Sequence, residues 1–226
     1  MTGIQAINVH NFTGVKQPPK SVDCIPASIA TVLKSTLDST PSLREIKSAI
    51  RMRQDGSFLS EAGIYLQERG FETHYEIWRW QTFFPTLAED VSPEEIQRFL
   101  ERVSSGNGMY KEENYLPYIE AGGRLTLGGS TDGLLEKQEQ GDSDTFALIS
   151  LDDYKLHGVN TRKKIRHVVT ALMPNLPKES QRVPSLHVYC PTIDRTTPFF
   201  YPNDYRTVSD AIMSSPKGAV LYVKQR

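Results

Sequence analysis

Apolar residues recur at helical spacing in the first third of the chain and at strand spacing in the last third. From Pro26 the run PASIATVLKSTL puts Ile29, Val32, Leu33 and Leu37 on one stripe, and Pro26 suits a first turn, where no helical N–H bond is lost. Ser42 and Glu45 have the spacing of a capping box for a second helix carrying Leu43, Ile46 and Ile50. A third begins at about Phe58, with Leu59, Ala62 and Leu66 on one side and Gly70 at its stop. Phe71 to Trp78 alternates loosely, as a strand does. Ser92-Pro93-Glu94-Glu95 opens a further helix whose inner side is Ile96, Phe99, Leu100 and Val103. The segments SSGNG and AGGRLTLGGSTDG read as glycine-rich loops.

In the last third FALISL, HVVTALM, LHVYC and AVLYVK are short β-branched or aromatic runs bounded by turn residues, and they predict an antiparallel sheet. A short helix over Val208 to Met213 precedes the last of them. At the other end, Ile4 to His10 alternates and GVKQPPKS is turn-rich, so residues 1–23 read as an irregular lead-in. Helices early and strands late predict an α+β fold. We expect one domain over 1–226, with an inserted, mostly helical region at about 80–144. Trp78, Trp80, Phe83, Phe84 and Tyr110 in or beside that region suit either a lid over a site or the core of an extra helical lobe.

Composition narrows the function. With 38% apolar and 23% charged residues the 226-residue chain is globular in type. Twenty-six Lys plus Arg against twenty-seven Asp plus Glu leave a charge of -1, which predicts neither a nucleic-acid nor a membrane partner. The basic run Arg162 to Arg166 reads as a solvated loop. No signal segment or membrane span is visible, and two cysteines, Cys24 and Cys190, suit a reducing compartment, so a cytoplasmic protein is expected. The glycine clusters lack phosphate-binding spacing, and no histidine has an HExxH or CxxC companion. No cofactor or metal is expected.

One constellation carries chemistry. A nucleophilic cysteine needs its thiolate, and a helix N-terminus supplies partial positive charge and free N–H groups that favour an anion. Cys24 stands just before the helix that starts at Pro26. His167, opening the strand HVVTALM, is placed to be its base. Asp194, just past LHVYC, is the candidate to orient that base, and Gln17 is the candidate side-chain donor to an oxyanion beside the Cys24 backbone N–H. Cys190 reads as a strand-end core residue close enough to be a redox partner.

In the order of its motifs the chain resembles the papain-like cysteine peptidases that cleave bacteriocin leader peptides after a double glycine, together with their stand-alone relatives. The resemblance lies in Asp23-Cys24-Ile25-Pro26-Ala27 opening a helix, Gln17 upstream, Glu68-Arg69-Gly70-Phe71, FALISL, His167-Val168-Val169, the strands leading to Asp194, and the terminal AVLYVK. It implies a papain-like fold: an N-terminal helical lobe, with the nucleophile at a helix N-terminus, packed on a C-terminal antiparallel sheet. The implied activity is attack of Cys24 on a peptide or amide carbonyl with His167 as base. Acyl transfer from a thioester or amide donor, or inactive peptide binding, are the alternatives. The implied partner is a peptide or acyl-carrier-type substrate. The chain departs from the family at Ile25, where glycine is usual, and at Gln17, one residue farther from the cysteine than usual. Cys190-Pro191 occupies a place similar to that of the family's acid-proline pair, so the acid position is Asp194 by spacing or Cys190 by motif.

Overall fold

The computed structural model describes residues 12–37, 39–54, 56–82, 84, 86–88, 91–104, 115–139, 145–158, 166–173, 185–200, 203–215 and 217–225. Ile4 to His10, Phe83, Tyr110, residues 162–165 of the basic run and the stretch 175–184 lie outside them.

The helices begin where the capping chemistry places them. Helix α1 runs Cys24–Thr36 and α2 Leu43–Ala49; Ser42 and Glu45 exchange the reciprocal hydrogen bonds of a capping box at α2. Helix α3, Leu59–Gln67, stops at Gly70, whose φ of 84° is the left-handed conformation that glycine adopts without a side-chain clash. Ser92 and Glu95 cap α4, Pro93–Ser104, in the same reciprocal way. Helices α5 (Tyr115–Glu120), α6 (Thr131–Glu139), the one-turn α7 (Asp153–Leu156) and α8 (Asn203–Ser214) follow. No described helix is long and apolar enough to cross a membrane.

The strands are β1 (Phe71–Ile77), β2 (Arg124–Leu127), β3 (Thr145–Asp152), β4 (Arg166–Met173), β5 (Ser185–Cys190), β6 (Arg195–Phe200) and β7 (Ala219–Gln225). They form one sheet in the order β2-β1-β7-β3-β4-β5-β6, in which only β1 and β2 run parallel. Two of these elements lie wholly or partly where the glycine-rich sequence suggested a loop. The run RLTL is a strand because it borrows its partner from β1. The run TDGLLEKQE is a helix with Leu134 buried. Segment RTTPFF is tolerated as a strand because β6 is the sheet edge, where Pro198 needs no second ladder.

The α+β fold read from the sequence is present, with helices on both faces of the sheet. Alternation sorts the side chains: Phe146, Leu148, Val168, Leu172, Leu221 and Val223 join α1 to α5 in one core. Ala147, Ile149, Leu151, Val169, Ala171, Val220 and Tyr222 join α6 to α8 in a second. The stretch 80–144 contributes Phe84, Ile96, Leu100, Tyr115 and Tyr118 to the first core and gives the sheet its edge strand β2.

His74 of β1 pins that edge, with Nε2 at 3.0 Å from Thr126 Oγ1 and Nδ1 at 3.3 Å from Lys137 Nζ. Burial, then the charges of Lys137 and Arg124, lower its pKa to about 4 from 6.5. The unfolded chain therefore binds a proton there before the folded one does, and stability falls as pH drops from about 6.5 toward 4. Urea unfolding at pH 7 and pH 4 is expected to show a loss of about 2 kcal/mol that His74→Gln removes.

Candidate active site

Cys24 is the first residue of α1, and α1 packs against β4. Asp23 precedes it, buried, and its carboxylate receives Lys47 Nζ at 2.9 Å, which fixes the helix start to α2. Burial raises the Cys24 pKa, while the backbone N–H groups of Val168, Ile25 and Cys24 itself and the charge of Arg166 act the other way. The thiol thus sits in a cradle of backbone donors, yet loss of water outweighs them and the resting group is a protonated thiol. Beside the helix start an open pocket of about 460 Å³ is lined by Pro18, Asp23, Leu43, Arg44, Lys47 and Met52.

His167 is the residue next to Val168 on β4, and successive strand side chains point to opposite faces. Val168 belongs to the core under α1; His167 faces the second core, buried. No hydrogen bond joins its ring to Cys24. Its Nε2 instead lies 3.4 Å from Cys190 Sγ and 3.2 Å from Thr192 Oγ1. Burial lowers the His167 pKa, the Asp153 carboxylate raises it and His157 lowers it, so the ring is neutral at rest. Asp153 begins α7, whose N-cap Asp152 accepts the Tyr154 N–H at 3.2 Å, and Leu151, two residues earlier, is the cross-strand partner of His167.

The structure does not bring Asp194 to His167. Asp194 closes the hairpin between β5 and β6, where its N–H bonds to Cys190 O at 3.0 Å and its φ is 55°. Its carboxylate accepts the Tyr189 hydroxyl at 2.8 Å and lies 3.8 Å from Lys16 Nζ. Tyr189 and Cys190 are neighbours on a strand and so face opposite ways; the residue held by Tyr189 is thereby kept from the histidine. Cys190 takes the place beside the ring, as the position of Cys190-Pro191 allows. It is 3% exposed, and burial raises its pKa against the N–H groups of Ile193 and Thr192.

Gln17 is held at the same hairpin. Its N–H donates to Pro191 O at 3.0 Å, its Oε1 accepts the Thr192 hydroxyl at 3.4 Å, and its Nε2 donates to Ser21 O. It therefore reaches His167 through Thr192. Asp153 and Thr192 carry no motif that marks them in the sequence; Cys190 is marked by the Cys190-Pro191 pair and by ending the strand after His167.

No protein-family model matches the chain, and no curated protein matches it. Among solved structures, the peptidase domain of Streptococcus ComA, a bi-functional ABC transporter involved in a quorum-sensing pathway, is similar over 95% of this chain and 99% of that one, with 13% identity and a TM-score of 0.45. A likeness at that level fixes neither an activity nor a site.

The protonation state of Cys24 is open to measurement. Iodoacetamide alkylation with peptide mapping is expected to show a Cys24 midpoint above the roughly 8.5 of a free thiol, returning to that value in urea. A folded midpoint at or below the unfolded one would mean that the N–H cradle outweighs burial.

Proposed function

We propose that the chain is a papain-like cysteine enzyme that attacks amide or thioester carbonyls, with Cys24 as nucleophile and His167 as base. The observation that carries this reading is the Cys24 thiol at the first residue of α1, cradled by three backbone N–H groups and set against β4 at the residue next to His167. An imidazole held at Nε2 by Thr192 and Cys190 has Nδ1 as its remaining nitrogen, and because the ring rests on the sheet face opposite Cys24 the reading requires His167 to turn toward α1 before Nδ1 can accept the thiol proton. As that proton moves, sulfur bonds to the carbonyl carbon and the oxygen takes up negative charge, which N–H donors at the α1 start are suited to hold. Collapse expels the amine, which takes the proton back from Nδ1, and leaves a thioester on Cys24. Water then releases the acid and restores the thiol.

Both groups are neutral at rest, so the reading calls for proton transfer during attack rather than a standing ion pair. The pocket beside the α1 start has the volume of a small-molecule or peptide side-chain site. In this reading Thr192 and Cys190 orient the base, Gln17 steadies Thr192, and Asp194 shapes the hairpin that carries them.

The deciding experiment incubates the protein with peptide amides and peptide thioesters and maps the acyl adduct by mass. An adduct on Cys24, absent in Cys24→Ala and formed about 10²-fold more slowly in His167→Ala, is expected. An adduct on Cys190 would move the nucleophile to that residue. No adduct, with retained peptide binding, would make the chain an inactive binding relative. Adding an amine acceptor separates hydrolysis from acyl transfer, since an amide product appears only in the second case.

A further inference from the structure

A thiol sulfur, an imidazole nitrogen and a carboxylate oxygen from Cys190, His167 and Asp153 all lie within 4.8 Å of one another, on the sheet face turned away from α1. We propose that these three side chains bind a borderline-soft divalent cation, of which Zn2+ is the type. A thiolate, a neutral imidazole and a carboxylate are ligands that Zn2+ takes, and their two negative charges cancel its own. Bonds of about 2.3 Å to sulfur and about 2.0 Å to nitrogen at a tetrahedral angle separate the two donors by about 3.5 Å. Cys190 Sγ and His167 Nε2 stand 3.4 Å apart. They already form one edge of the tetrahedron.

The third ligand comes from the sheet rim. Asp153 starts a one-turn helix, and an inward shift of about 1 Å brings its carboxylate to bonding distance. Its Oδ1 is shut off from solvent and accepts no hydrogen bond; the His157 ring lies 3.4 Å from it on the more exposed side. That ring orients the carboxylate as an outer-shell partner, and the N–H groups of Thr192 and Ile193 do the same for the Cys190 sulfur. Binding displaces the Cys190 thiol proton to solvent. It also takes the Nε2 lone pair of His167, so the ring proton must sit on Nδ1.

A consequence follows that rests on the proposed function: with Nδ1 protonated, His167 cannot accept the Cys24 proton, and the bound cation silences the enzyme. The site itself does not depend on that reading.

The test titrates chelator-stripped, full-length protein with Co2+ as an optical probe and Zn2+ as competitor. One equivalent of Co2+ with a sulfur-to-cobalt charge-transfer band, abolished by Zn2+, lost in Cys190→Ser, weakened roughly tenfold or more in Asp153→Asn and kept in Cys24→Ser, supports the site. Absence of a thiolate band, or a band lost in Cys24→Ser and kept in Cys190→Ser, overturns it. Circular dichroism of each metal-free variant separates a lost ligand from a lost fold, and Asp153→Asn decides if Cys190→Ser does not fold. The acyl-adduct experiment reads Cys24 and this one reads Cys190, so either proposal can fail without the other.

Discussion

Side chains on a strand alternate between the two faces of a sheet, and on β4 this rule divides the chemistry of the molecule. Val168 offers its backbone N–H to the Cys24 thiol and its side chain to the core beneath α1; His167, one residue earlier, is turned to the opposite face. Since β3 and β5 flank β4 in register, what meets His167 is fixed by the same rule. Leu151 leads to Asp153 on one side, and Cys190 leads to Thr192 on the other. A one-residue slip of β4 would exchange Val168 for His167 under α1 and bury a charged Arg166 in its place on the far face. The apolar residues Val169, Ala171 and Met173 oppose that slip, because each would leave the second core.

The two cysteines experience similar forces with different partners. Each is pushed toward the neutral thiol by loss of water and pulled toward the thiolate by backbone N–H groups: Val168, Ile25 and Cys24 around one sulfur, Ile193 and Thr192 around the other. In both, burial is the larger effect, as the cost of an isolated anion in a dry site requires. What distinguishes them is a third group. Cys24 has the positive charge of Arg166, which favours an anion, and the pocket near the helix start is lined by its neighbour Asp23 and not by Cys24. Cys190 has His167 and Asp153, which suit a cation. The hairpin Pro191 to Asp194 keeps these environments separate, with Asp194 tied to Tyr189 on one face and Thr192 to His167 on the other.

Much of this arrangement is written locally in the chain. The capping boxes at Ser42 and Ser92, the glycine stop at Gly70 and the four late strands depend on neighbours within a few residues, and each is found where local chemistry puts it. Elements that depend on distant partners are not visible in that way. Segment RLTL is a strand because β1 lies beside it, and a strand of four residues between glycines has no periodicity of its own. The candidate site divides along the same line. Cys24 at a helix start is a local feature, and the structure keeps it. The face on which His167 lies is set by the period of β4 and is legible in HVVTALM once the face that carries α1 is known. Asp153 is not legible, because its approach to His167 depends on the register of β3 with β4 and on the one-turn helix capped by Asp152.

The position of one proton ties the two proposed sites together. A neutral imidazole carries its proton on one nitrogen and a lone pair on the other, so a ring that gives Nε2 to a cation has Nδ1 closed to a thiol. A ring that donates from Nε2 to the Thr192 hydroxyl or the Cys190 sulfur has Nδ1 open. The 3.4 Å contact with Cys190 Sγ is compatible with either state, whereas the 3.2 Å contact with Thr192, whose hydroxyl proton goes to Gln17 Oε1, is a hydrogen bond only when Nε2 is the donor. The choice between donor and ligand at Nε2 is therefore a choice of tautomer, made on the face of the sheet turned away from α1. Cation binding asks for an inward shift of Asp153, at the start of its one-turn helix, whereas the base role asks for a turn of the His167 ring toward α1.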